Sequence, residues 1–218
     1  MFWKQIKKLN EYALSKGVHI INSMPFFVGH DSADVWANQR FFRLLDNGHL
    51  ERVGAEHPSD IYPKGIKFLD PAYNWKELKS DGYKWWIERI KQNSISGGRL
   101  AIDSFGRFAE SYEVSGGAED ATGGIYESGP SPEFVRRAAE LAGIEGIIAQ
   151  DRNKNGSSAE NIMEEDRYCD VRVMENAFYG SEDNRNLTHN HTKNCVVYTG
   201  TQDEAPLKSY LESLSPED

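Results

Sequence analysis

The feature that most constrains this chain is an alternation of helical stretches with short aliphatic runs. Residues 2–16 place apolar and charged residues at helical spacing, Gly17 stops the helix, and Val18-His19-Ile20-Ile21 reads as a buried strand. Residues 76–92 read as a helix bearing Leu78, Tyr83, Trp86 and Ile90, and Gly97-Gly98 leads into the strand-like Leu100-Ala101-Ile102-Asp103. The order repeats as a helix at 132–143 with strand Gly146-Ile147-Ile148-Ala149, then as a short helix near 158–165 with a strand at 170–176. Cys195-Val196-Val197-Tyr198 closes the series. Strands alternating with helices form βαβ units, which imply an α/β fold with a parallel sheet. About five strands are legible, whereas a closed (β/α)8 barrel needs eight and typically about 250 residues. Either strands are missing or the sheet is open.

At 218 residues the chain is sized for one domain, taken as 1–218. Residues 43–75 are rich in Gly, Pro, Asp and His, and Asp46-Asn47-Gly48 marks a tight turn, so an inserted loop of roughly 37–75 is expected outside the core. A loop of that length is often functional.

Charge excludes some classes of partner. A formal charge of −9 opposes nucleic acid and anionic membranes, both of which select clustered Lys and Arg. Lys4, Lys7 and Lys8 lie opposite Phe2, Ile6 and Leu9 on the first helix and read as a solvated face. The N-terminal residues form no long apolar segment, and two cysteines, Cys169 and Cys195, build no disulfide framework, so a reducing cytoplasm is expected. The acceptor-like triplets at Asn155, Asn186 and Asn190 are then chance matches.

No metal or other cofactor is expected. Asp151, Asn153, Asn155 and Gly156 match the opening of a calcium loop, but position twelve, which needs a bidentate Glu, is Ile162. His189, His191 and Cys195 match no common zinc spacing. The Gly116-Gly117 and Gly123-Gly124 pairs lack the Lys-Ser/Thr ending of a phosphate loop, and Cys195 reads as core.

Chemistry in parallel α/β folds collects at the carboxyl ends of the strands. Those ends are polar here: Asn22-Ser23, Asp103, Gln150-Asp151 and Thr201-Gln202-Asp203. Asp103 and Asp203 could converge above the sheet, or such residues could simply cap the helices that follow.

Several blocks resemble, in order, the amylomaltase segment of glycoside hydrolase family 77. They are Tyr12-Ala13 through Ile21, Pro25-Phe26-Phe27-Val28, Asp31 through Trp36, and Gly82-Tyr83-Lys84-Trp85-Trp86-Ile87-Glu88-Arg89. Ile102-Asp103-Ser104-Phe105 is similar to the family's Arg-Ile-Asp-His-Phe-Arg-Gly, and Ile147-Ile148-Ala149-Gln150-Asp151 to Ala-Glu-Asp-Leu-Gly. His189-Asn190 and Val197 through Asp203 resemble the closing Thr-Gly-Thr-His-Asp region.

The resemblance implies a partial (β/α)8 TIM barrel of about five parallel strands with outer helices, lacking two strands before residue 1 and one after residue 203. Such a barrel would expose sheet edges and favour a homo-oligomer or a complementing fragment. It also implies a retaining 4-α-glucanotransferase acting on α-1,4-glucans or maltooligosaccharides, whose two reacting carboxyls lie roughly 5–5.5 Å apart. Asp103 matches the nucleophile, Asp203 the transition-state stabiliser and Gln150 the acid/base. A carboxamide has no proton to donate near neutral pH, and general acid–base catalysis is worth roughly 10²–10⁴-fold, so impaired turnover is expected.

Other matched positions also depart from the family. Ala101 replaces an Arg that would hold the nucleophile ionised, Ser104 and Gln202 replace histidines, Ser23 replaces an Asp, and Gly106-Arg107 stands for Arg-Gly. Phe68-Leu69-Asp70-Pro71-Ala72-Tyr73 resembles Trp-Gly-Asn-Pro-Leu-Tyr, an aromatic sugar platform. Glu175 replaces a Gln and Asn176 a Phe. The implied substrate-binding set is Ser23, Phe68, Asp70, Tyr73, Ala101, Ser104, Asp151, Glu175, His189, Asn190 and Gln202. The alternatives to an impaired transferase are a glucan-binding or regulatory module without chemistry and a fragment without independent function.

Overall fold

The computed structural model describes residues 2–60, 62–94, 98–150, 168–178, 181–201 and 206–213. Helix α1 (Phe2–Ser15) ends where Gly17 takes φ 72° and Val18 N–H turns back to Ala13 O at 2.9 Å. The strand expected at Val18–Ile21 begins later, as β1 (Asn22–Met24), and Val18 and Ile21 are exposed. Register accounts for most of this: β1 pairs with β4 (Arg99–Ile102) from Asn22↔Leu100 onward, and of the expected run only Ile21 would lie opposite a β4 residue, Arg99.

The inserted stretch is more ordered than its loop-like composition suggests. Helix α2 (Ala33–Ala37), capped by Ser32, leads into it, and it contains two strands, β2 (Arg52–Glu56) and β3 (Ile66–Pro71), with Val53 and Ala55 fully buried. These strands join β5 (Glu110–Ser115) and β6 (Ile125–Ser128) in an antiparallel sheet of order β3-β2-β5-β6. The joining ladder runs Arg52↔Ser115, Val53↔Val114 and Gly54↔Glu113. One hairpin follows β1 and the other follows β4, so the accessory sheet is built from the loops leaving the carboxyl ends of these two strands.

The helix expected at 76–92 is two helices, α3 (Trp75–Ser80) and α4 (Lys84–Asn93). Gly82 and Tyr83, at φ 65° and 56°, turn the chain between them. Helix α5 (Pro132–Ala142) ends at Gly143 in the left-handed region and feeds β7 (Gly146–Ala149). Strands β8 (Cys169–Val173) and β9 (Cys195–Tyr198) complete a parallel sheet of order β1-β4-β7-β8-β9, the five-stranded part of a (β/α)8 barrel. The helix expected near 158–165 and the calcium-like stretch lie outside the described residues.

Alternation gives the parallel sheet two faces. Met24, Leu100, Ile102, Ile147 and Ala149 pack outward against Trp86 and Ile90 of α4 and Val135 and Ala138 of α5. Ala101, Ile148 and Cys169 form the inner face with Val171 and Val196. Each large side chain fully buried on the outer face contributes roughly 1.5–3 kcal/mol.

The loop after β1 carries Phe26, whose ring meets those of Phe27, Tyr73, Trp75, Trp86 and Phe108 at 4.8–6.3 Å. Arg89 of α4 holds that loop. Its guanidinium donates to Pro25 O (2.6 Å), Phe26 O (2.8 Å), Phe27 O (3.2 Å) and the Tyr73 hydroxyl (2.9 Å). An ammonium has three donors on a single atom and cannot span this arc. Arg89→Lys is therefore expected to cost about 2 kcal/mol, a fall of roughly 4–8 °C in Tm, read by thermal melting. In the accessory sheet, burial pushes the Glu113 carboxyl up to about 7, outweighing the Arg52 guanidinium 3.3 Å away. A raised carboxyl contributes stability below its unfolded value, near 4.5, and loses that contribution as pH rises towards 7. The wild-type Tm should thus fall across this window relative to Glu113→Gln, which melting at pH 5 and pH 8 measures.

Candidate active site

Asp103 is the first residue after β4, and its backbone is tied on both sides. Asp103 N–H donates to Met24 O at 3.0 Å, Gln150 N–H to Ile102 O at 2.9 Å, and Phe105 N–H to Gln150 O at 3.0 Å. These bonds extend the β1-β4-β7 pairing past the strand ends and set Asp103 beside Gln150. Ser104 follows at φ 52°, donating its N–H to Asp103 Oδ1 at 3.1 Å. A left-handed serine is strained, and here the strain turns the chain sharply behind the half-buried Asp103 carboxylate.

Gln150 is held from across the sheet. Ser23 Oγ, on β1, donates to Gln150 Oε1 at 3.2 Å, passing over β4. Register explains the reach: Ser23 lies opposite Ala101, and Ala101 opposite Ile148, all on the inner face. The Ala101 methyl leaves open the space that a longer side chain would fill. The three positions where the resemblance implies Asp, Arg and Glu thus hold a neutral serine, alanine and glutamine. Arg99, two residues before Ala101 on the same face, lies close enough to the Cys169 thiol for its charge to favour the thiolate. It therefore serves the far end of the sheet rather than Asp103. Burial raises that thiol, and Arg99 opposes the rise.

The residues of the long insertion are placed differently from one another. Tyr73 is 4% exposed and belongs to the core, its hydroxyl donating to Phe26 O at 2.7 Å and its ionisation pushed up to about 12 by burial. Phe68 is half-buried against Phe27 at 6.1 Å, with the Arg107 guanidinium over its ring at 5.3 Å. One face of the expected sugar platform is therefore covered. Asp70 is half-buried, and burial followed by the nearby Asp31 carboxylate raises its proton affinity.

Glu175, in a short 3-10 turn after β8, is 3% exposed. His189 is exposed, and Asn190 donates its amide to Glu182 O and Asn184 O, bracing its own loop. Asp151, Gln202 and Asp203 lie outside the described residues. Among the described residues no three His, Cys, Asp or Glu side chains converge as a metal site, and no helix is long and apolar enough to cross a membrane.

Arg107 carries a role that its motif position does not announce. It is 9% exposed, donates to Ala55 O at 3.2 Å, pairs with Glu56, and lies over Phe27 and Phe68 at 5.2 and 5.3 Å. It thereby joins the segment after Asp103 to the accessory sheet. The only sequence signal was the shifted Gly106-Arg107, because Glu56 is 51 residues away.

A family model described as 4-alpha-glucanotransferase matches residues 1–218. The chain is 32% identical over 218 residues to the chloroplastic/amyloplastic 4-alpha-glucanotransferase of Solanum tuberosum, covering all of this chain and 38% of that one. It is also 32% identical to the 4-alpha-glucanotransferase of Aquifex aeolicus, covering all of this chain and 44% of that one. The chain thus spans less than half the length of these curated relatives. Among solved structures, the amylomaltase of Streptococcus agalactiae in complex with acarbose superposes with a TM-score of 0.90 at 30% identity, over 99% of this chain and 44% of that one. The amylomaltase of Corynebacterium glutamicum, at 16% identity and TM-score 0.80, shares the fold. Because Ser104 is strained without a side-chain cap, Ser104→Gly is expected to stabilise the chain by about 0.5–1 kcal/mol, read from its denaturation midpoint.

Proposed function

Because the chain belongs to glycoside hydrolase family 77, the 4-α-glucanotransferases, we propose that it engages α-1,4-glucans at the carboxyl ends of β1, β4 and β7 and transfers their segments slowly, with Asp103 as nucleophile. The observation that carries this reading is the position of Asp103, pinned between Met24 and Gln150 at the strand ends where a parallel barrel does its chemistry. In a retaining transfer an Asp103 oxygen attacks the anomeric carbon while a carboxylic acid protonates the leaving oxygen. Gln150 occupies the place of that acid and accepts a hydrogen bond from Ser23, which suits it to orienting a sugar rather than protonating one.

Gln150 also favours a second reading, a glucan-binding module without chemistry. Glucose release from maltotriose decides between the two: slow release supports transfer, and binding without release supports the module. A dissociation constant too weak to measure counts against both.

The proposal includes a reducing, cytoplasmic setting, which two free cysteines support. It also includes association with a second copy or a complementing chain. The exposed Phe2, Trp3 and Tyr12 of α1 and Tyr198 of β9 support this part. On the transfer reading, Gln150→Glu combined with Ala101→Arg should raise the maltotriose rate by roughly 10²-fold or more, measured as initial velocity of glucose release.

A further inference from the structure

Resting on the transfer reading, we propose that the donors this site takes are α-glucosyl compounds whose leaving group departs as an oxyanion, a phosphate or a phenolate, rather than as a sugar hydroxyl. Asp103 keeps one oxygen for attack: Oδ1 accepts from Ser104 N–H at 3.1 Å, while Oδ2 has no hydrogen-bond partner among the described residues. The neighbouring strand end brings Gln150 beside it, through Phe105 N–H to Gln150 O at 3.0 Å and Gln150 N–H to Ile102 O at 2.9 Å. The Glu175 carboxyl lies elsewhere. A Cβ built on Gly200 would sit 2.8 Å from Glu175 Oε1, at the ends of β8 and β9, and β7 stands between β8 and β4.

The hydrogen bonding of Gln150 sets what it offers a leaving group. Ser23 Oγ donates to Oε1 at 3.2 Å, which leaves Nε2, without a partner among the described residues, as the end free to donate. A carboxamide N–H steadies negative charge developing on a departing oxygen but gives it no proton. A sugar oxygen needs that proton to depart, whereas a phosphate or a phenolate leaves without one. Charge selects the same class. Ser23, Ala101 and Gln150 are neutral where the resemblance implies Asp, Arg and Glu, and a carboxylate at 150 would repel an anion a few ångströms away. The neutral hydroxyl and amide do not.

The step balances without an acid. An Asp103 oxygen bonds to the anomeric carbon, the bond from that carbon to the leaving oxygen breaks, and its electron pair departs with that oxygen. The leaving group is then a phenolate or, from a donor whose phosphate carries one proton, hydrogen phosphate. In the return step a lone pair of an incoming anion bonds to the anomeric carbon as the bond to Asp103 breaks. The chain moves no proton in either step.

The test measures the 218-residue chain, Gln150→Glu and Asp103→Ala on 4-nitrophenyl α-maltoside, α-maltosyl phosphate and maltotriose, with and without sodium azide as the incoming anion. In the wild-type chain, kcat/KM for at least one oxyanion donor should exceed that for maltotriose roughly 100-fold or more. Which of the two donors reacts fixes the leaving group as phosphate, phenolate or either. Azide should raise turnover of the reacting donor roughly tenfold or more and yield α-maltosyl azide, and Gln150→Glu should lose that product. A smaller preference over maltotriose, no azide product, or an azide product that Gln150→Glu retains overturns the proposal and leaves the transfer reading standing. No release from any of the three donors, or release that Asp103→Ala leaves unchanged, overturns both. If Gln150→Glu does not fold, the wild-type preference and azide product decide.

Discussion

The structure hangs on the guanidinium of Arg89. A half-buried loop after β1 has carbonyls that water does not fully serve, and three successive ones, Pro25 to Phe27, converge on this one side chain. Its planar fork satisfies them together and lies over Trp86 at 4.9 Å. With the loop held, Phe26 is driven into the space bounded by Trp86, Tyr73 and Phe108, and helix α4 is fastened to the strand end it covers. The aromatic core and the entrance to the site are therefore one construction.

At the strand ends a neutral hydrogen bond stands where the family resemblance implies an Asp, an Arg and a Glu. An Asp–Arg–Glu set across three strands would bring three charges into a partly dry face, stable only if every charge were paired. Ser23, Ala101 and Gln150 avoid that requirement: one small residue opens the way, and a hydroxyl and an amide meet through it. The three positions are interdependent. A long side chain at 101 would compete for the space the Ser23–Gln150 bond crosses, and a carboxylate at 150 would find an alanine, not an arginine, at 101.

An ion pair ties the accessory sheet down. Arg107 and Glu56 meet where β2 passes the segment after β4, with Phe27 and Phe68 against the guanidinium. Arginine does this well because it is weakly hydrated and stacks on rings while it donates in its plane. The same packing turns Phe68 from a free platform into a wall. The accessory sheet is thus positioned by the residues that follow Asp103, and its geometry and that of the loop after Asp103 are coupled.

Periodicity alone carried the parallel sheet: β4, β7, β8 and β9 fall within a few residues of where the aliphatic runs place them, because each needs only local pattern to declare itself. The strand ends bearing Asp103 and Gln150 were legible for the same reason. The antiparallel sheet was not, since β2 meets β5 some sixty residues later and the Gly- and Pro-rich insertion has no strong pattern of its own. Nor could sequence show that the first strand starts at Asn22, that Tyr73 is core, that Arg99 lies by Cys169, or that Arg107 finds Glu56. Residue type determined which groups are able to donate, accept or attack. Tertiary structure decided which of them meet, because hydrogen bonds, ion pairs and burial act over a few ångströms of space and are indifferent to distance along the chain.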